Sequence, residues 1–291
     1  KTVERLSGYD RDQNIRLMRF DFHPTTDGWA VSEVNSDVPG GLAEASLLPE
    51  ISCKYFNGYE PRRHVAQSLL QAFADKVEKN HTIAFVHATS YSDDRQVMEF
   101  LSDYFQANGY HSVFAAPDHI TWENQRAFCT LEGKEGPVDG ITRFFPLEWL
   151  TSLPRRSNWK GYFDCITPSC NHPAAILTQS KRLPLVWDEI GVDVPAWRKL
   201  LPETVEPRSV KPQDDGWIYK PALGRVGEGI SIQEAITGKE KANIEKAARR
   251  HPRYWVAQRK FTSRPLTDVN GDTFHLCVGV FTVNGKSAGF Y

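Results

Sequence analysis

Two short stretches, Arg19-Phe20-Asp21-Phe22 and Ser32-Glu33-Val34-Asn35-Ser36-Asp37, decide how this chain reads. They lie in two strand-like runs, Ile15 to Phe22 and Trp29 to Asn35, on either side of Thr25-Thr26-Asp27-Gly28. A loop of Thr26, Asp27 and Gly28 suits a type I turn closed by a left-handed glycine. That turn sets Asp21 opposite Glu33 and Arg19 opposite Asn35. Side chains two apart share one face of a strand, so all four groups point the same way. Two carboxylates, an amide and a guanidinium would go unsatisfied in an apolar core. Hard oxygen ligands beside a fixed positive charge suit a Mg2+–phosphate site. They equally suit a solvated hairpin face with an ion pair, and the stretch alone leaves both readings open.

Around this hairpin the composition is that of an ordinary globular chain: 291 residues, 40% hydrophobic, 24% charged, net charge −1. The length allows one large or two moderate domains. A near-neutral balance gives no support for binding nucleic acid or an anionic membrane in bulk. No apolar run reaches membrane-spanning length, and no signal peptide is visible. Cys53, Cys129, Cys165, Cys170 and Cys277 are widely spaced with no CxxC pair. This predicts reduced thiols in a cytoplasmic protein rather than a zinc site. The chain opens at Lys1 and closes at Tyr291 straight after a strand-like run, so both ends read as cuts through a longer protein.

Further along, Leu42 to Leu48 starts a helix. Pro61 to Lys79 forms an amphipathic one with Val65, Leu69, Leu70, Phe73 and Val77 on one face. Thr82–Val86 and Ser112–Ala116 read as strands around a helix over Asp93–Ala107, capped by Asp93 and stopped at Asn108-Gly109. With a strand at Gly140–Phe145, this predicts an open α/β layer. His87-Ala-Thr-Ser-Tyr91 is no dinucleotide fingerprint. Ile176–Glu189 reads as helical despite Pro184, and the proline-bearing run Pro195–Gln213 as a surface connector. Strands are expected at Trp217–Pro221, Ile230–Gln233, Trp255–Gln258, Thr273–Phe281 and Lys286–Tyr291, with a helix over Lys239–Arg250. Asn284-Gly285 marks a hairpin.

A second group of candidates is Lys220-Pro-Ala-Leu-Gly224-Arg225-Val-Gly227-Glu-Gly229, a lysine ending a strand before a glycine-rich loop. Glycines let backbone N–H groups close over phosphate oxygens, and the lysine adds a point charge. It is not a P-loop, and a flexible hairpin tip with solvated Lys and Arg remains open. Lys181 in Thr178-Gln-Ser-Lys181, taken singly, reads as a surface lysine, and Trp255–Phe261 as an ordinary sheet strand. Asp37 reads as a turn former before an acid supporting the site, and Cys165 and Cys170 as inert.

In their order, these pieces resemble the synthetase domain of glutathionylspermidine synthase, a circularly permuted ATP-grasp ligase family. Four elements carry the likeness: Arg19-x-Asp21 with Glu33-x-Asn35, then Ser180-Lys181-x-Leu-Pro-Leu-x-Trp187, then Lys220-Pro-Ala-Leu-Gly-Arg225-x-Gly227, then Val256-Ala-Gln258 through Gly289-Phe-Tyr291. The resemblance implies an α/β fold: a permuted ATP-grasp plus a small open α/β pre-ATP-grasp lobe. It also implies three parts: 1–80 with the metal hairpin, 81–150 as the open lobe, and 151–291 as the nucleotide lobe. Asp21, Glu33 and Asn35 match the family's Mg2+ ligands. Arg19 matches the catalytic arginine that steadies the transferred phosphoryl group, and Arg225 the one that meets the substrate or acyl phosphate. Lys181 and Lys220 match the lysines on the ATP phosphates, with Gly224 and Gly227 in the covering loop. Gln258 to Phe261 would lie near the adenine.

The implied reaction joins a small-molecule or peptide carboxylate to an amine, with ATP and Mg2+, through an acyl phosphate. Val38 and Gly40 stand where characterised synthetases carry hydroxyl residues that contact glutathione, which leaves the acid's identity open. Two other classes remain beside the ligase: a nucleotide-binding scaffold without catalysis, and a small-molecule phosphotransferase. Release of inorganic phosphate separates a ligase from a kinase.

Overall fold

A computed structural model describes the chain except for residues 1–8, 62–63, 155–156, 226, 228 and 233–235. The first hairpin forms as its sequence requires. β1 (Leu17–Thr25) and β2 (Gly28–Asn35) flank a turn at Thr26 and Asp27. Gly28 takes φ 115°, a region closed to most side chains, and Thr25 Oγ1 donates to Gly28 O at 2.9 Å. The described residues cluster into two compact units, and the boundary crosses β1 after Arg19 and β2 after Val34.

The first unit holds the described residues up to Arg19, then Asn35–Ile176 and Gly279–Tyr291. It opens with α1 (Leu42–Cys53) and α2 (Val65–Ala74), where the His64 side chain accepts from the Gln67 N–H. Next come β3 (Thr82–His87), α3 (Ser92–Gln106) and β4 (His111–Ala115). An antiparallel insert follows, formed by β5 (Ile120–Glu123), β6 (Arg126–Cys129) and β7 (Gly136–Pro137). Then come β8 (Gly140–Phe144), α4 (Gly161–Asp164) and β9 (Ser169–Cys170). The sheet order is β4-β3-β8-β9, and every pair in it is parallel. Alternate side chains of β3 feed two cores. Ile83 and Phe85 pack with Leu69, Phe73 and Phe105, while Ala84 and Val86 pack with Ile120, Ile141 and Phe145. Burial on both faces is what a parallel sheet demands, and it accounts for the uninterrupted apolar run of this strand.

α5 (Ala175–Gln179) carries the chain over the boundary into the second unit, which also contains Phe20–Val34. There follow α6 (Pro195–Leu200), β10 (Thr204–Val205), β11 (Trp217–Pro221), α7 (Gly238–Arg250), β12 (Trp255–Arg259), β13 (Pro265–Thr267) and β14 (Thr273–His275). β12 lies between β10 and β11, antiparallel to both. Trp217, Tyr219 and Ala257 form a small core with Ala248 of α7. A capping box between Thr237 and Glu240 starts that helix. The chain then returns to the first unit as β15 (Val278–Val283) and β16 (Lys286–Phe290), joined at Asn284-Gly285 with φ 49° and 78°. β15 lies between β16 and β1 in its sheet.

Several expectations need correction. Tyr91, not Asp93, precedes α3; Asp93 and Asp94 sit in its first turn, where carboxylates favour the helix dipole. The helix over Ile176–Glu189 breaks into α5 and a 3-10 turn at Leu183–Val186, because Pro184 lacks an N–H and disfavours helix before it. The connector 195–213 is structured, and Thr204 and Val205 pair with Gln258 and Ala257. Residues 230–232 form no strand, although Ser231 N donates to Tyr219 O at 3.1 Å; Gln233 lies outside the described residues. The run Thr273–Phe281 splits between β14 and β15. No helix among the described residues is long and apolar enough to cross a membrane.

Candidate active site

The second unit gathers most of the sequence candidates. Strand alternation puts Ile218 and Lys220 on the face of β11 away from Trp217 and Tyr219, so Lys220 points away from the α7 core. It is buried at 4% exposure. Its ammonium donates to Ser32 O at 2.9 Å and to Gln258 Oε1 at 2.7 Å. Gln258 in turn donates through Nε2 to Thr204 Oγ1 at 3.1 Å. The β11–β12 register places Gln258 opposite Ile218, diagonal to Lys220.

Lys181 follows α5 in the turn before Leu183, where its N–H donates to Ala222 O at 2.9 Å. Its ammonium reaches two groups, Glu33 Oε1 and Gly224 O, each at 2.8 Å. One lysine thus ties the metal-ligand candidate on β2 to the opening of the glycine-rich loop. The Glu33 and Lys181 side chains are 21% and 12% exposed. These groups line a narrow cleft of about 30 Å³, room for roughly one water, because their side chains span it.

The electrostatics of the cleft are uneven. Burial and then the Lys181 ammonium lower Lys220 to about 8, while Glu33 pulls it upward. Lys220 therefore feels both members of the Glu33–Lys181 pair. Burial also lowers His23; Asp21 opposes that shift, and Lys220 adds to it. Asp21 itself is buried at 8% exposure, and its backbone oxygen accepts from Ser32 Oγ at 3.4 Å.

Phe261 packs its ring on His23 at 5.4 Å. Gly227 and Gly229 hold φ 74° and 68°, which a side chain would strain, so the loop needs glycine there. Arg225 is partly buried in that loop; Val226 and Glu228 lie outside the described residues. Arg19 and Asn35 belong to the first unit. There Arg19 Nη1 donates to Gly40 O at 2.7 Å, and its guanidinium lies over the Tyr291 ring at 5.9 Å.

Among the described residues no three or more His, Cys, Asp or Glu side chains group to hold a metal ion. The Asp21, Glu33 and Asn35 set, with its amide oxygen, is not a cluster of that kind. The donors still fit a hard divalent cation, since carboxylate and amide oxygens are its preferred ligands.

Sequence reasoning missed Ser32 O and Thr204. Thr204 fell inside the supposed connector, and a backbone carbonyl carries no sequence signal. Asp37 is a buried acid rather than a simple turn former: Arg143 Nη2 pairs with its Oδ1, and Leu147 N donates to its Oδ2 at 3.0 Å. Burial pushes the Cys165 and Cys170 thiols up to about 12, which leaves them as inert as expected.

A protein of Haemophilus influenzae named "Putative acid--amine ligase" is 23% identical over 234 residues, 77% of this chain and 57% of the relative. The chain therefore spans little more than half the length of that curated relative. Among solved structures, D-alanyl-alanine synthetase A from Vibrio cholerae aligns with TM-score 0.42 and 12% identity over 70% of this chain and 68% of its own. A Methylobacillus flagellatus structure titled "Putative gamma-glutamylcysteine synthetase" aligns with TM-score 0.48 and 12% identity over 97% and 76%. The family described as "Glutathionylspermidine synthase preATP-grasp" matches residues 4–291, and this chain belongs to it.

Proposed function

We propose that this chain carries the site of an ATP- and Mg2+-dependent carboxylate–amine ligase that works through an acyl phosphate. One observation carries the reading: Lys181 and Lys220 converge beside the carboxylate of Glu33, the only acid that lines their cleft among the described residues. Two ammonium groups against one carboxylate leave an excess of positive charge that a polyphosphate would neutralise. A carboxylate approaching ATP is anion meeting anion, and each close like-charge pair costs about 4 kcal/mol at an effective dielectric near 20. Lys181 and Lys220 offset that repulsion at the phosphates, with Arg19 and Arg225 as further candidates for the developing charge. Asp21, Glu33 and Asn35 would hold Mg2+, which supplies Lewis-acid neutralisation of the phosphate oxygens. Triphosphate binding requires Lys181 to exchange Glu33 for phosphate oxygens, which frees Glu33 for the cation.

In the reaction the substrate carboxylate oxygen attacks the terminal phosphorus, and the bond to ADP breaks. The amine then attacks the acyl carbon, phosphate leaves, and the ammonium proton passes to solvent. No protein nucleophile is needed. Gly224, Gly227 and the loop between them would cover the phosphates; Gln258 lies on β12, the strand that would flank the adenine, and Phe261 just past its end. Reduced cysteines, all five free, accord with a cytoplasmic setting. The acid and amine, small or peptidic, are to be found by screening. The test is Mg2+-dependent ADP and phosphate release with pools of acids and amines. Stoichiometric ADP, phosphate and amide support the ligase. ADP with a phosphorylated product, or nucleotide binding without turnover across the pools, would overturn it.

A further inference from the structure

Arg19 and Asn35 leave the first unit at the base of the hairpin, and one buried side chain ties their strands together. Asn171, 2% exposed, accepts the Leu17 N–H on Oδ1 at 2.7 Å and donates from Nδ2 to Leu17 O at 2.8 Å. The same Nδ2 donates to Ser36 O at 3.3 Å and to Asp37 O at 2.7 Å. Leu17 stands two residues before Arg19, and Ser36 directly follows Asn35. The amide thus takes the place of a strand neighbour for β1 and grips the chain where β2 ends.

Asn171 is itself anchored. Arg143 of β8 donates to Asn171 O from Nε at 3.3 Å and from Nη2 at 3.1 Å, and also to Phe145 O from Nη1. Asp37 neutralises that guanidinium; the two side chains are 0% and 1% exposed. A charge pair cut off from water cannot relax without a large desolvation penalty, so its geometry is stiff. Arg16 adds a further guanidinium bond to Ser36 O.

We propose that Asn171, fixed by Arg143 and Asp37, is a positioning residue that sets the backbone carrying Arg19 and Asn35, the candidates for phosphate and metal; this rests on the ligase reading above. A residue acting through a ligand in this way typically alters metal affinity by about 10- to 100-fold. The test is the affinity of Mn2+ with a non-hydrolysable ATP analogue, by calorimetry, for Asn171→Ser, Asn35→Ala and the double variant. Folded Asn171→Ser should bind at least about tenfold more weakly, and should add clearly less than that full loss to Asn35→Ala, since the share carried through Asn35 is already gone. Unchanged affinity in folded Asn171→Ser, or a full further loss in the double variant, would overturn the proposal. If Asn171→Ser fails to fold, Arg143→Lys is read in the same cycle, since it keeps the charge beside Asp37 but loses the fork to Asn171 O. Absence of Mn2+–nucleotide binding by the unsubstituted protein would sink the ligase reading together with this one.

Discussion

Two ion pairs, one in each unit, show opposite uses of charge. Asp37–Arg143 is sealed at 0% and 1% exposure, and both partners spend their remaining hydrogen-bonding capacity on backbone groups. Glu33–Lys181 is 21% and 12% exposed, and a second buried lysine lies close enough to repel it. The first pair is satisfied from within the fold and its work is geometry. The second, among the described residues, sets two ammonium groups beside one carboxylate, and on the proposed reading its work lies with a polyphosphate from outside.

This contrast can be broken by substitution. Glu33→Gln should lower ADP release on the order of a thousandfold, while leaving the thermal midpoint little changed. Normal turnover in that variant would erase the functional side of the contrast. Asp37→Ala strands a buried guanidinium and should cost about 3–5 kcal/mol, read from urea unfolding. A loss below about 1 kcal/mol would mean the sealed pair is not what holds this region. Gln258→Leu removes one acceptor from Lys220 and should weaken nucleotide binding by about tenfold, corresponding to roughly 1.4 kcal/mol.

Proton linkage sharpens the comparison. Burial lowers Lys220 from the 10.5 of a free lysine to about 8 in the folded chain, with Lys181, Glu33 and His23 as its charged or titratable neighbours. Below about 8 it is protonated in both folded and unfolded chains. Between those two values the unfolded chain holds the extra proton, so stability rises with pH across that window. Nucleotide affinity should run the other way and fall as pH climbs through about 8, measurable by calorimetry at fixed ionic strength. The smallest effect belongs to an exposed pair: Arg95→Ala breaks a bond to Glu99 at side-chain exposures of 64% and 46% and should change stability by no more than about 0.5 kcal/mol.

Periodicity alone revealed much of this fold. The apolar run of β3, the 3.6-residue pattern of α2 and the Asn284-Gly285 turn are local signals, and each element formed close to where its residues put it. Failures came where the pattern was local but the outcome was not. Pro184 ended a helix that Leu183 and Val186 would have extended, and the stretch 195–213 gained a strand only because β12 offered an unpaired edge. Glu33, Lys181 and Lys220 were legible as candidates through the order of their motifs. Their meeting was legible only through the family resemblance, because 148 residues separate Glu33 from Lys181. Thr204 and Asn171 carried no signal at all, since an isolated hydroxyl or amide acquires a role only from what lies opposite it.

The amino-acid order determined strand, helix and turn type, and it supplied the oxygens and ammonium groups that the proposed phosphate chemistry would use. Tertiary structure decided which charges are neutralised internally and which are left in excess. That division depends on burial and on through-space distance, and Coulomb energy in a low-dielectric interior responds to both rather than to separation along the chain.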